Sequence, residues 1–165
     1  MLEIFEFFDF EVAVDLETTQ SWYAAAKPQR YRYNKGIDAR NFHAAAKKRL
    51  LPDYVLEQLD ELGIPPQKAT LITYLRTDED GNDYYEFSYR VAGNILSGYL
   101  PGVDPDVYAS LPFASGANGR CIHEPSPIIA PTFPEPHFDL EFVAIVPWML
   151  DEPKLKCCMD ERLHQ

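Results

Sequence analysis

Apolar and acidic residues alternate near the start of the chain, and this alternation constrains the fold more than any other feature of the sequence. From Phe8 to Leu16 every second residue is apolar, and the positions between them hold acids or alanine. Successive side chains of a strand point to opposite sides, so a period of two indicates one buried face and one exposed face. We therefore predict an N-terminal strand that ends at Thr18–Thr19. Its exposed face would carry Asp9, Glu11, Asp15 and Glu17.

Two helices are predicted in the middle of the chain. The first follows Asp38, a suitable N-cap, and places apolar residues at helical spacing. The second begins at Pro52 and ends at Gly63, the usual placement of proline and glycine at the two ends of a helix. The segment 20–26 is a third candidate helix. The expected buried residues of the two central helices are Ala39, Phe42, Ala46, Leu50, Val55, Leu56, Leu59 and Leu62.

The clearest hairpin pattern lies between residues 70 and 91. The segments 70–77 and 84–91 are rich in β-branched and aromatic residues, and an acidic segment containing Gly81 joins them. An EF-hand calcium loop needs Gly at position six and Glu at position twelve, but counting from Asp78 those positions hold Asp83 and Tyr89. We therefore interpret the joining segment as an acidic hairpin tip. Its acids are Asp78, Glu79, Asp80 and Asp83.

The second half of the chain predicts an ordered excursion and a closing strand. Residues 101–136 hold eight of the fourteen prolines, yet also apolar residues such as Ile129 and Phe133. Proline disfavours long regular elements, so we expect this segment to wrap over the sheet, with a flexible break at 115–119 and a short helix at 106–110. The segment 138–146 reads as a strand, and a polar tail follows from Asp151.

Taken together, these patterns predict a single α+β domain over residues 1–165. An antiparallel sheet would combine the N-terminal strand, the 70–91 hairpin and the 138–146 strand, with the two central helices packed on one face. A length of 165 residues suits one domain with one core. No apolar run approaches the roughly 18 residues of a membrane span, so no membrane partner is expected.

The charge and the cysteine content limit which binding partners and which cell compartment are expected. The net charge is −11, which makes nucleic acid an improbable partner and favours a basic or neutral protein. Residues 27–49 nevertheless carry eight basic side chains against one acid. We expect that segment to lie near the acidic strand or on a solvated helix face. Three cysteines, an odd number, and no signal-peptide pattern at the N-terminus indicate a reduced protein of the cytoplasm.

A short motif supports an alternative, catalytic hypothesis. The segment Val14-Asp15-Leu16-Glu17-Thr18-Thr19 resembles the first motif of DEDD 3'-5' exonucleases, and residues 136–142, with Asp139, resemble the second. The resemblance implies that Asp15 and Glu17 hold divalent metals that activate a water. The family also needs a late His followed by an Asp. Here His164, the only histidine after Asp139, comes after the last aspartate.

Other candidate sites lack a signature. Cys121 and His123 could form a zinc site with Cys157 and Cys158, but their spacing matches no common zinc motif. We therefore expect no metal, cofactor or catalytic residue, and predict a non-catalytic acidic protein-binding domain. The most concrete form is an immunity or inhibitor protein that blocks the basic cleft of a toxin or enzyme. The alternatives are the metal-dependent nuclease and a structural or accessory domain. The predicted binding surface comprises Asp9, Glu11, Asp15, Glu17, Asp78, Glu79, Asp80 and Asp83.

Overall fold

The fold is α+β, as predicted, and one antiparallel sheet dominates it. The computed structural model describes residues 2–8, 10–26, 36–97, 117–123, 125–126 and 128–154. The helices are α1 (Leu16–Ala25), α2 (Ile37–Lys47) and α3 (Asp53–Leu62), followed by a 3-10 turn at Pro66–Lys68. The strands are β1 (Leu2–Phe7), β2 (Phe10–Asp15), β3 (Leu71–Thr77), β4 (Asp83–Ser97), β5 (Ala117–Ile122) and β6 (His137–Ile145). None of the helices in these ranges is both long and apolar enough to cross a bilayer.

The central strand of the sheet is β4, which has neighbours along both edges. On one edge it pairs with β6, and β5 continues the sheet beyond β6. On the other edge it pairs first with β3, over residues 83–88, and then with β2, over residues 93–97. The predicted 70–91 hairpin and the closing strand are therefore confirmed. The strand β5 was not predicted, and it begins inside the segment expected to be a flexible break.

Helix α1 fills the gap between β3 and β2 on the edge of β4. The Thr19 hydroxyl accepts a hydrogen bond from the Ala92 amide at 3.0 Å, and the Tyr23 hydroxyl donates to the Arg90 carbonyl at 2.8 Å. Thr19 and Tyr23 are fully buried. Because buried backbone groups need hydrogen-bond partners, these two side chains stand in for the missing strand. They also fix the position of α1 on the sheet.

The predicted single N-terminal strand is wrong, because the segment forms a hairpin and then the start of a helix. Strands β1 and β2 pair from Leu2↔Asp15 to Phe7↔Phe10, and the chain turns at Phe8. Strand β2 ends at Asp15, whose carboxylate caps α1 by accepting from the Thr18 amide at 3.0 Å. The threonines expected to end the strand therefore lie in α1.

The two central helices are confirmed, with corrected ends. Helix α2 begins after Gly36, so Asp38 lies in its first turn and is not the N-cap. It ends at Lys47, which leaves Leu50 outside the helix and 45% exposed. Helix α3 ends at Gly63 with a left-handed φ of 68°, as the sequence indicated. Both helices bury their predicted apolar faces.

The core lies on one face of the sheet, beneath the helices and the first hairpin. Alternate residues of β4 and β6 are buried there: Tyr85, Phe87, Tyr89, Val91, Phe138, Leu140 and Phe142. The Phe8 ring packs between Tyr54 of α3 and Phe142, at centroid distances of 5.0 and 5.9 Å. Gly119 of β5 makes room for this ring, since a Cβ atom at that position would overlap it. The turn of the first hairpin is thereby fastened to α3, β5 and β6.

Part of the proline-rich excursion is ordered over the sheet, as expected, and buries Ile129 and Phe133. The candidate helix at 106–110, the residue Asp9, the basic residues of 27–35 and the tail beyond residue 154 lie outside the described residues.

Candidate protein-binding surface

The first hairpin presents an outer face that points away from the core. Leu2, Ile4 and Glu6 of β1 pair with Asp15, Ala13 and Glu11 of β2. Side chains of directly opposite residues in an antiparallel pair lie on the same face. On the other face of the hairpin Phe7, Val12 and Val14 are fully buried, whereas Glu3 is exposed. Within the outward set, the small side chain of Ala13 is buried. We call the outward set, together with Leu96, the outer hairpin face.

Three large apolar side chains are exposed on the outer hairpin face. The exposed fractions are 53% for Leu2, 58% for Ile4 and 51% for Leu96. Leu96 lies at a register shift of the β2–β4 pair, between Ile95, the partner of Val12, and Ser97, the partner of Glu11. We assign it to this face because alternation along β4 places it with Asn94, the partner of Ala13. Exposed apolar side chains that cluster within a polar rim are typical of interaction surfaces.

Acidic side chains lie among the apolar ones on the outer hairpin face, since Glu11 is on β2, between β1 and β4. Glu6 and Glu11 are directly opposite each other, and neither has an ion-pair partner among the residues that the structure describes. Like charges at opposite positions of two strands destabilise the pairing. The predicted Glu11 and Asp15 therefore do share one face, together with Glu6, which the prediction omitted. Glu17 lies apart from them, exposed on α1.

The structural premise of the nuclease hypothesis is wrong. It requires Asp15 and Glu17 to project from one strand, but Asp15 ends β2 and Glu17 lies in the first turn of α1. Both carboxylate oxygens of Asp15 accept hydrogen bonds from Thr18, one from its amide and one from its hydroxyl. The hydrogen bond from the Thr18 amide is the main cause of the lowered pKa of Asp15, and the hydrogen bond from the Thr18 hydroxyl is the second. Among the described residues, no three His, Cys, Asp or Glu side chains converge as metal ligands.

The acids of the 78–83 hairpin tip have mainly structural roles. The Asp78 carboxylate accepts hydrogen bonds from the amides of Asp80 and Asn82, both at 2.9 Å. The bond from the Asn82 amide is the main cause of the lowered pKa of Asp78. Asp83 is buried, accepts from the Thr77 hydroxyl at 2.6 Å, and pairs with Lys154 at 2.6 Å. At this tip only the acids Glu79 and Asp80 are exposed.

The two predicted acidic regions do not form one surface. The hairpin tip precedes Asp83 at the start of β4, whereas β2 pairs with residues 93–97 at its end. Ten residues of strand separate Asp83 from Gly93, which corresponds to about 33 Å. The outer hairpin face and the 78–83 tip are therefore separate sites.

The opposite face of the β4–β6 pair holds buried charges that sequence reasoning missed. Arg90 is fully buried and donates to the Asp139 carboxylate at 2.9 Å. It also donates to the carbonyls of Ser126 and Ile129, and so holds the proline-rich segment on the sheet. The sequence does contain one signal for this buried pair. A period of two places Arg90 on the face of β4 opposite Tyr85, Phe87 and Tyr89. Asp139, part of the apparent second nuclease motif, is thus a structural partner of Arg90.

Glu141 lies next to this ion pair, and the pKa of its carboxyl group is raised. Arg120 of β5 donates to it at 2.8 Å, and Ser88 is its register partner on β4. Burial, followed by repulsion from Glu86, raises the pKa of Glu141 to about 7. Burial also raises the pKa of Glu86. Such a carboxyl could exchange a proton near neutral pH. Its immediate partners, however, are other residues of the sheet.

A groove of about 480 Å³ lies elsewhere, between residues 50–53, 81–83 and 145–148.

Cys121 does not have the environment of a reactive or metal-binding thiol. It is a buried residue of β5, opposite Leu140, and is not part of a disulfide. Burial raises the pKa of its thiol to about 12, whereas a nucleophile or metal ligand must be a thiolate. Cys157 and Cys158, the other cysteines of the zinc site considered and rejected from the sequence, lie outside the described residues.

Comparison of the chain with protein families, with curated protein sequences and with solved structures gives no match. The candidate site therefore rests on the geometry of this chain's own residues. Over the part of the chain that the structure describes, the outer hairpin face combines exposed apolar area with two glutamates that form no ion pair.

Proposed function

We propose that this protein is a non-catalytic binding domain that uses the outer hairpin face to bind a basic protein. The observation that carries the proposal is the opposition of Glu6 and Glu11 beside the exposed side chains of Leu2, Ile4 and Leu96. Burying those apolar side chains would stabilise a complex, by roughly 25 cal/mol per Å² of apolar area. A lysine or arginine of the partner would also turn the repulsion between the two glutamates into attraction.

Electrostatics would also speed the encounter. A net charge of −11 attracts a basic protein over distances up to the Debye length, about 10 Å at 0.1 M salt. Complementary charge raises association rates more than it raises affinity itself. This kinetic advantage suits an immunity or inhibitor protein, which must reach a toxin or enzyme before the target reaches its substrate.

We further propose that the protein works in the cytoplasm. The support is Cys121, a buried thiol without a disulfide, because reduced cysteines are usual in a reducing compartment. An inhibitor in that compartment would protect the cell from a toxin or enzyme that acts there.

The test is quantitative affinity purification with the full chain from its source cells. Wild type is compared with Leu96→Asp, which places a charge on the β4 side of the outer hairpin face. The matched control is Leu50→Asp, because Leu50 is similarly exposed, at 45%, but follows α2. We expect one partner with a basic surface, lost with Leu96→Asp and retained with Leu50→Asp. An unchanged set of partners in all three samples would contradict the proposal.

A positive result leads directly to a test of inhibition. If the recovered partner is an enzyme or toxin, an equimolar amount of the wild-type protein should abolish its activity, and Leu96→Asp should not. Full partner activity in a saturated complex would contradict the inhibitor role while leaving the binding role intact.

A further inference from the structure

Strand β1 is an edge strand whose outward backbone groups can be identified. Within the described residues it forms a ladder with β2 alone. The hairpin turn has two residues, so Phe7 and Phe10 are the hydrogen-bonded closing pair. Hydrogen-bonded pairs alternate along an antiparallel ladder, which directs the N–H and C=O groups of Phe5 toward β2. The corresponding groups of Ile4 and Glu6 point to the open edge.

This edge lacks most of the devices that protect edge strands from pairing. The six residues of β1 include no lysine, no proline and no bulge, and Leu2 and Ile4 are both exposed. Edge strands without such protection are templates for another strand. The turn end of β1 approaches β5, where Phe8 packs on Gly119, so the accessible stretch is Leu2–Glu6.

Charge selects the kind of strand that can pair here. A second copy of this chain has the same net charge of −11 and would add two further glutamates, Glu3 and Glu6, along this edge, so two copies repel each other. A strand bearing lysine or arginine would instead form an attractive pair with Glu6 and reach the neighbouring Glu11 on the same face. A basic partner is therefore favoured over self-association.

We propose that the partner binds by adding a strand to β1, an inference that rests on the function proposed above. Backbone bonds to Ile4 and Glu6 hold the added strand, as in other complexes formed by strand addition. Its residue opposite Glu6 is lysine or arginine, and its residues opposite Ile4 and Leu2 are apolar. On the added strand these three residues occupy every second position.

The test uses a displayed library of ten-residue peptides selected on the full-length protein. Ile4→Pro removes the amide donor on the open edge without removing a β1–β2 ladder bond, a position where proline is tolerated. Ile4→Ala is the control for loss of the side chain. We expect the selected peptides to show the cationic and apolar alternation, and to bind Ile4→Pro about tenfold more weakly than Ile4→Ala.

Amide hydrogen exchange of the wild-type protein provides a measurement that does not depend on the proline variant. Without peptide, the amides of Ile4 and Glu6 should exchange quickly, and those of Phe5 and Phe7 slowly. Bound peptide should slow Ile4 and Glu6 specifically. Unchanged exchange at these two amides in a saturated complex would overturn strand addition.

The results distinguish strand addition to β1 from binding to the outer hairpin face in another way. Peptides that are lost with Leu96→Asp but leave the Ile4 and Glu6 amides unprotected would refute strand addition and support the outer hairpin face as a binding site. Selected peptides that bind Leu96→Asp and Ile4→Pro as well as wild type would refute both.

Discussion

Glu6 and Glu11 stand opposite each other on the outer face of the first hairpin, with no cation beside them among the described residues. In the isolated protein this arrangement opposes the pairing of β1 with β2. In the proposed complex with a basic strand it would become favourable. Under this proposal the pair lowers the stability of the free protein and strengthens binding, and both effects can be measured.

Reversing one charge of the pair should stabilise the isolated protein. Glu11→Lys replaces a repulsive cross-strand pair with an attractive one, so we expect the free energy of unfolding to rise by about 0.2–1 kcal/mol at low salt. Urea denaturation measures it. Glu57→Lys, at an exposed position of α3, makes the same change in net charge. An equal gain in both variants would show that net charge, and not the Glu6–Glu11 pair, is responsible.

Removing the cap of α1 should weaken the fold without any effect of metal. Asp15→Ala deprives the Thr18 amide of its acceptor, and we expect Tm to fall by about 2–4 °C. Asp15→Ser should restore most of the loss, because serine is also a good N-cap. Thermal denaturation with and without Mn²⁺ completes the test. A Tm increase with Mn²⁺ that disappears in Asp15→Ala would instead support the nuclease hypothesis.

Gly119 and Phe8 should be energetically coupled. A methyl group at residue 119 overlaps the Phe8 ring, so we expect Gly119→Ala to cost about 1–3 kcal/mol. In Phe8→Ala the same substitution should cost much less, because the ring is gone. A double-mutant cycle by urea denaturation measures the coupling. Strictly additive effects would mean that the turn of the hairpin does not pack on β5.

The buried Glu141 should make stability fall as pH rises toward neutrality. Its pKa is about 7 in the folded protein against an ordinary value of 4.5, so the folded state binds this proton more tightly than the unfolded chain. The resulting stabilisation is complete below about pH 4.5 and is lost as pH rises through about 7.

Glu141→Gln stays neutral and should escape this loss. Relative to wild type, it should gain about 2 kcal/mol in free energy of unfolding between pH 5 and pH 8. Its charged neighbours are Glu86 on β4, Arg120 on β5 and Asp139 on its own strand. Parallel pH profiles of Glu141→Gln and wild type would contradict burial of the ionised group.

The parts of the fold that the sequence predicted are those governed by local pattern. Two segments rich in β-branched and aromatic residues, joined by a turn segment, identified the 70–91 hairpin, and Gly63 identified the end of α3. The N-terminal segment misled because its alternation runs unbroken through Phe8, where the chain turns, and through Leu16, where α1 begins. A turn at Phe8 and a helix cap at Asp15 end the two strands, and neither feature interrupts the alternation in the sequence.

The candidate site was predicted only in part, for a related reason. Glu11 and Asp15 were assigned correctly to one acidic face, but Glu6 joins them only through pairing of β1 with β2. Asp78 and Asp83 were counted as surface because sequence alone does not show which carboxylates accept hydrogen bonds from their own loop. Which acids share the outer hairpin face and which accept hydrogen bonds depends on pairing and contacts that no local pattern encodes.

The most direct test of the central claim is the association rate of the purified partner with wild type and with Glu11→Lys, measured as salt is raised. We predict that the wild-type rate falls steeply with salt, that Glu11→Lys associates more slowly at low salt, and that its salt dependence is weaker. Equal rates and equal salt dependence for the two proteins would show that the outer hairpin face is not where the partner binds.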